Sequence, residues 1–241
     1  MRVFIGFDDT DNKDSDFGTG KVARHIENLL PEGCSIWGVV RQQLLFDERI
    51  PYTSHNSSAC VVVDLSDPAR KDDLLSIAIK HIEQRSASGS DPGLCFACEG
   101  DPALPGLNTF GHLCATKIVT QKEALQAATG VHLSGHGGTN DGIIGAAAAV
   151  GLTAAGWSGR FIEFESLRDF PDTVSVSELK KTGIRVVSLD RDATIPGPED
   201  MVTTNGWLRP RLWGGEPILP VVLRRGENMW ESVGEKRRKE K

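Results

Sequence analysis

The sequence predicts a mixed α+β chain: an α/β core containing a ferredoxin-like β-α-β pattern, then a small β-rich C-terminal segment. Three observations predict it. From Arg2 to Gln84, apolar or β-branched runs alternate with helix-period runs in the order β-α-β-β-α. The uncharged, Ala- and Gly-rich run Ile143 to Ala155 reads as a helix buried on most faces. From Thr194 onward Pro and Gly are frequent, and Gly214-Gly215 separates two apolar runs, a hairpin signal.

The composition, 39% apolar and 25% charged over 241 residues, is that of a soluble globular protein of one to two domains with a real core. The net charge of −6 argues against a broad nucleic-acid footprint. No basic segment precedes an apolar run and a small-residue cleavage site, so no secretory signal is expected. No apolar stretch approaches the roughly 20 residues that span a bilayer, so no membrane partner is expected. Five cysteines, an odd number without export, suit reduced thiols and a cytoplasmic location.

Arg2 to Phe7 is the first strand, and Asp8 to Gly18 is a polar loop. A helix opens at Gly18 or Thr19 and runs to Leu30, because Val22, Ile26, Leu29 and Leu30 share one face; Pro31-Glu32-Gly33 ends it. Ser35 to Phe46 and Cys60 to Leu65 are strands around a turn at Asp47 to Pro51, and Lys71 to Gln84 is a helix. Ser86 to Pro105, rich in Gly, Ser, Pro and Asp, reads as a long connecting loop. Phe110 to Ile118 is helical. Thr120 with Glu123 forms a capping box for a helix to Ala128. Val131 to Leu133, Arg160 to Phe164 and Arg185 to Leu189 are short strands, with a short helix within Thr173 to Gly183. Trp207 to Trp213 and Pro217 to Leu223 form the hairpin.

Chemistry is expected first at Asp8, Asp9, Thr10, Asp11 and Asn12. A buried strand delivers these acids to its C-terminal end, where open α/β sheets bind ligands. Three neighbouring carboxylates repel unless water or a cation intervenes, and Mg²⁺ is commonly held by one or two carboxylates plus phosphates. Strand alternation should send Asp8 and Asp9 to opposite faces, so at most two of Asp8, Asp9 and Asp11 should ligate directly. Gly18-Thr19-Gly20-Lys21 offers amides, a helix start and a cation to an anion. It is not a Walker loop, since Val22 follows Lys21 and Ser15 replaces the first Gly, and the acids do not spell a haloacid-dehalogenase motif. His136-Gly137-Gly138-Thr139-Asn140-Asp141-Gly142 precedes the greasy helix and can form an amide nest for a phosphate or nucleotide. His55, in the polar loop Pro51 to Ser58, is the candidate for acid–base work near neutral pH. Cys95-Phe96-Ala97-Cys98 has zinc-knuckle spacing, but His112-Leu113-Cys114 is a poor second pair, and inert thiols are the preferred reading. Arg209, Arg211, Arg224 and Arg225 with Trp207 and Trp213 are read as a twisted hairpin with snorkelling arginines rather than an RNA reader; its tryptophans would suit a homodimer contact.

Asp8-Asp9-Thr10-Asp11, the Thr19 turn, Arg49-Ile50-Pro51 with the polar loop to Ala59, Gly142-Ile143-Ile144-Gly145-Ala146 and Ala148-Ala149-Val150-Gly151 together resemble the archaeal agmatinylcytidine synthetase family of tRNA-isoleucine modification (TiaS). The likeness covers residues 1 to 165 in the same order. It implies an unusual kinase-type catalytic core and a ferredoxin-like domain, with ATP and Mg²⁺ used to phosphorylate a cytidine carbonyl before agmatine displaces the phosphate. It would make Asp8, Asp9 and Asp11 the acids that position Mg²⁺ and ATP. The family's OB fold and zinc ribbon have no counterpart in the sequence. With the net charge of −6, this argues against tRNA and for a small-molecule substrate. The expected organisation is a TiaS-like ATP-dependent core over 1–165, a β-rich segment over 166–225 and a charged, disordered tail over 226–241. The expected function is an ATP- and Mg²⁺-dependent transferase, kinase-like or ligase-like, that activates an oxygen of its substrate. The alternatives are a non-catalytic nucleotide- or metabolite-binding module and an RNA-modifying protein.

Overall fold

A computed structural model describes residues 1–51, 55–190, 194–224 and 229–234. Tyr52, Thr53 and Ser54 of the polar loop, Arg225, and residues 226–228 and 235–241 of the expected tail lie outside the described residues. The chain divides into two compact units, Met1–Gly159 and Arg160–Lys241.

The first unit runs β1 (Arg2–Asp8), α1 (Thr19–His25), β2 (Cys34–Gln43), β3 (Ser57–Leu65), α2 (Lys71–Arg85), β4 (Gly93–Cys98), α3 (Leu104–Thr116), α4 (Gln121–Ala127), β5 (His132–Gly135) and α5 (Gly142–Ala155). Its strands lie in the order β5-β4-β1-β3-β2, and each adjacent pair is antiparallel. The β-α-β units are thus split: β3 lies between β1 and β2, and β1 lies between β3 and β4. The expected helix to Leu30 tightens after His25 into a 3-10 turn, Ile26–Leu29.

Strand alternation sorts this sheet into two faces. Phe4, Cys60, Val62, Cys95 and Ala97 join side chains of α3 and α5 in one cluster. On the other face Phe7 meets His81 of α2 edge-on, ring centroids 6.2 Å apart. His81 Nε2 lies 2.8 Å from the Val22 carbonyl of α1, tying the two helices of that face together. The small residues of α5 have a specific use. A Cβ at Gly6 would overlap the Ala146 carbonyl, and one at Gly93 would overlap the Gly142 backbone. The helix lies almost directly on β1 and β4, which a helix of larger side chains could not do.

The loop expected from Ser86 to Pro105 contains β4, buried along its whole length between β1 and β5. Its run is short and is preceded by Ser-Gly-Ser-Asp-Pro-Gly, so turn residues masked a strand whose partners are distant in sequence. Cys95 and Cys98 are both buried and free. Three positions apart on an extended strand, they point to opposite faces and cannot close on one metal.

The second unit contains β6 (Arg160–Glu163), β7 (Thr173–Ser175), α6 (Val176–Lys181), β8 (Arg185–Ser188), β9 (Met201–Thr203), β10 (Arg211–Trp213), β11 (Glu216–Arg224) and β12 (Met229–Ser232). Gly214 and Gly215, at φ +63° and +76°, turn β10 into β11 as the sequence predicts. β11 also takes β8 in parallel and β12 in antiparallel pairing. β12 stands where a disordered tail is expected. Trp230 is buried there and its indole N–H donates to Asp200 Oδ2 at 2.9 Å, so one aromatic anchors an otherwise polar run. Ser175 and Glu178 form a capping box that opens α6 and closes β7. Arg168 and Arg209 lie over the Trp207 ring and Arg211 over Trp213. Among the described residues no helix is long and apolar enough to cross a membrane.

Candidate functional site

A cavity of about 440 Å³ opens in the first unit at the C-terminal end of β1. Asp8, Asp9, Asp11 and Thr19 form one wall. Arg49, Ile50, Pro51, His55, Asn56 and Ser57 form a second, from the segment between β2 and β3. Cys114, Lys117, Ile118, Val119, Thr120 and Gln121 close a third between α3 and α4. Asp141, Ile144 and Gly145 line it from the start of α5.

Local structure explains how the acids come together. Asp8 is the last residue of β1 and points, like Phe4 and Gly6, toward α5. Alternation would send Asp9 to the opposite face. Asp9 instead takes φ +51°, the left-handed region, which breaks the extended chain, and both residues line the same cavity. Asp11 turns back to the start of α1, where the Thr19 amide and hydroxyl donate to its Oδ1 at 3.2 and 3.1 Å. The buried Thr10 completes this corner, its amide and hydroxyl reaching Thr19 Oγ1 at 3.2 and 3.1 Å.

Two of the acids are held in an unusual state. Burial first, then the charge of Asp9, pushes the Asp8 carboxyl up to about 8. Burial, followed by Asp91, Asp11 and Asp141, pushes Asp9 up to about 6. This wall therefore gives up its protons at higher pH than ordinary carboxylates do, and a cation placed against it would release them. Arg49 and Lys117 supply positive charge on the facing walls. Arg49 is held by two 2.8 Å hydrogen bonds to the carboxylate of Asp47, which that contact depresses to about 2.

The segment carrying Arg49 and His55 is fastened at both ends. The Leu44 amide donates to the Asn56 carbonyl, Asn56 Nδ2 to the Leu45 carbonyl, and the Leu45 amide to the Cys114 carbonyl of α3. Gln121 Nε2, donating to the Thr139 carbonyl at 2.8 Å and to Asp141 Oδ1 at 2.5 Å, ties α4 to the turn before α5.

The structure therefore gathers Asp8, Asp9, Asp11, Thr19, His55 and Asp141 of the predicted residues. It does not bring the two glycine-rich turns there as phosphate cradles. Lys21 is exposed, with its ammonium 5.2 Å from the Phe17 ring centroid, and the Thr19 amide beside it already serves Asp11. Gly18 and Gly20 shape that corner without lining the cavity; a Cβ at Gly18 would stand 3.5 Å from Asp11. In the second turn the Thr139 amide and hydroxyl donate to the Asp91 carboxylate, and the Asn140 amide donates to the Gly137 carbonyl. Gly138 is left-handed at φ +54° and, with Gly137, passes close to Ser90 and Asp91. The Gly142 amide donates to the Asp91 carbonyl. The density of glycine there serves close backbone packing. Arg49, Lys117, Thr120 and Gln121 were not singled out as site residues from the sequence. Lys117 merely follows a helix, and only the fold brings it to the cavity that Asp8 opens.

No family model matches the chain, and no curated protein matches it. Solved structures do. A tRNA fluorescent labeling enzyme matches at 26% identity with a TM-score of 0.53, over 63% of this chain and 36% of its own. A complex of TiaS with an isoleucine tRNA and ATP matches at 25% identity and 0.53, with the same coverages. A TiaS complex with tRNA, AMPCPP and agmatine matches at 22% identity and 0.54, over 75% of this chain and 44% of its own. The chain spans less than half the length of each. Its fold resembles the TiaS catalytic core. These neighbours also overturn the expectation against tRNA, since one is a tRNA labeling enzyme and another is seen bound to tRNA. Net charge is a whole-chain quantity and does not by itself exclude a local basic surface. The acidic excess lies within residues 1–159, and acids and bases are nearly balanced over 160–241.

Proposed function

We propose that residues 1–159 are the ATP-dependent catalytic core of a ligase-type enzyme that activates an oxygen of an RNA substrate, with tRNA as the partner class. The observation that carries this reading is the pairing of Asp8 and Asp9, both raised well above the usual carboxylate range, with Arg49 and Lys117 across one cavity. Similarity to an ATP–tRNA complex of TiaS and to a tRNA-labeling enzyme supports it.

The donor set fits Mg²⁺. Carboxylate oxygens are hard ligands, and a divalent cation relieves the crowding that raises two of them. Mg²⁺ commonly keeps waters and phosphate oxygens in its shell, so one or two carboxylates suffice to hold it. Asp8 and Asp9 would hold it, and it would neutralise phosphate charge. The chain's own residues do the rest. Arg49 and Lys117 attract and orient the anionic triphosphate, while Thr19 holds Asp11 in place through its amide and hydroxyl. Ile50, Ile118, Val119 and Ile144 offer apolar surface for a base or ribose. His55 stands in the cavity lining, where an incoming nucleophile can pass it a proton.

Calorimetric titration with a non-hydrolysable ATP analogue and Mg²⁺ tests the reading. Binding should be Mg²⁺-dependent and weakened at least about tenfold by Asp9→Asn, the loss expected of one charged contact. Absence of binding, or equal binding by Asp9→Asn, would sink it. Retention of tRNA that disappears steeply with added salt tests the partner separately.

A further inference from the structure

On the sheet face opposite the cavity, β5 presents His132, Ser134 and the adjoining His136 in a row. Val131 and Leu133, which alternate with them, pack toward the α5 cluster, so the row lies on the α2 side. Ser134 Oγ is 2.8 Å from His136 Nε2 and 2.8 Å from His132 Nε2. The other ring nitrogen of His136, Nδ1, lies 3.2 Å from Glu83 Oε1 of α2. None of the four residues lines the cavity.

With His136 in its neutral form, valence assigns the protons in this chain of contacts. An ionised carboxylate only accepts, so Nδ1 of His136 carries hydrogen and donates to Glu83. Nε2 of neutral His136 is then a bare lone pair, and the Ser134 hydroxyl donates to it. With its single hydrogen spent, Ser134 accepts from His132 Nε2–H. Burial keeps His132 toward its neutral form. The result is an acid, an imidazole and a hydroxyl in the polarity that activates a nucleophile: base on the serine, carboxylate behind the base.

We propose that Ser134, His136 and Glu83 form a second reactive centre that hydrolyses small carboxylic esters through an acyl-serine. Ser134 Oγ adds to the ester carbonyl as its proton passes to His136 Nε2. The bond to the leaving alcohol breaks, and His136 returns that proton to the departing oxygen. Water, deprotonated by the same nitrogen, then releases the acid and restores the serine hydroxyl. Glu83 is a positioning residue that fixes the His136 tautomer, and His132 donates to the serine oxygen as it loses its proton. Ser134 is partly exposed, and the Glu83 carboxylate borders solvent.

The test is covalent. Full-length protein is incubated with a fluorophosphonate reporter, which transfers its phosphonyl group to an activated serine and expels fluoride. An adduct is expected on Ser134 by peptide mass spectrometry, absent in Ser134→Ala. Its rate of formation should fall about 100-fold in His136→Gln, the scale of a lost general base, and be lowered in Glu83→Gln while the thermal midpoint is unchanged. Hydrolysis of p-nitrophenyl acetate should follow the same order. No adduct on Ser134, or a rate in Glu83→Gln and His136→Gln equal to that of the parent protein, overturns the proposal.

Discussion

Gly145 of α5 faces the Asp8 carboxylate at the end of β1 with no room for a methyl group between them; a Cβ at position 145 would overlap Asp8 Oδ2. The relationship joins fold to site. A helix that must lie on the sheet for packing also presses its first turn onto the acid that opens the cavity, and that closeness contributes to the burial that raises Asp8.

Gly145→Ala is therefore expected to destabilise. Elsewhere in a helix interior the change would stabilise by roughly 0.5–1 kcal/mol. Here the methyl group must displace Asp8 or lift the helix, and overpacking of this kind costs about 1–3 kcal/mol. Urea unfolding would show a lower midpoint at unchanged slope, and nucleotide affinity should fall with it. A stabilised variant would contradict the observed packing.

The raised acids predict a pH dependence with a definite sign. Both Asp8, near 8, and Asp9, near 6, have folded values above the unfolded 3.8. The native state binds more protons between these values, so their contribution is fully present below about pH 4 and is lost as pH rises through 6 and then 8. The metal-free protein should lose thermal midpoint across that window. Asp8→Asn should flatten the upper part of the curve and be the more stable protein above about pH 8. Added Mg²⁺ should recover midpoint in the parent at high pH and less in the variant.

Lys117→Met should weaken binding of the ATP analogue by about tenfold, as for loss of one charge-assisted contact of roughly 1.5 kcal/mol. Lys117 is exposed at the end of α3, so its thermal midpoint should hold. Lys21→Met should leave affinity within error, because Lys21 sits over Phe17 and off the cavity wall. The two variants, measured side by side by calorimetry, separate the structural reading from the sequence-only one.

Asp91→Ala should loosen the turn before α5. It removes the acceptor of both the Thr139 amide and hydroxyl, a loss comparable to a helix cap at about 1–2 kcal/mol. It also removes the largest charged contribution to the raised Asp9. Amide hydrogen exchange at Thr139 should quicken, and the Asp9 carboxyl, followed by NMR, should titrate lower than in the parent.

The sequence by itself determined much of the scaffold. Local signals suffice where a pattern is short-range: the β-branched run of β3, the Thr120–Glu123 capping box of α4, the Gly214-Gly215 turn and the uncharged α5 all stand where their residues predict. The acids of the site were legible too, because they are close neighbours in the chain. What only the tertiary structure decided depends on distance in sequence or on a single torsion. β4 is a strand because β1 and β5 flank it, although its own flanks read as loop. Asp9 joins Asp8 in one cavity through a left-handed φ that alternation could not anticipate. Arg49 and Lys117 reach that cavity from separate segments of the chain. The glycines of the two turns, read as phosphate cradles, instead admit Asp11 and Asp91 and the close approach of α5. Composition reports that a backbone must come near something, and only the fold says what it comes near.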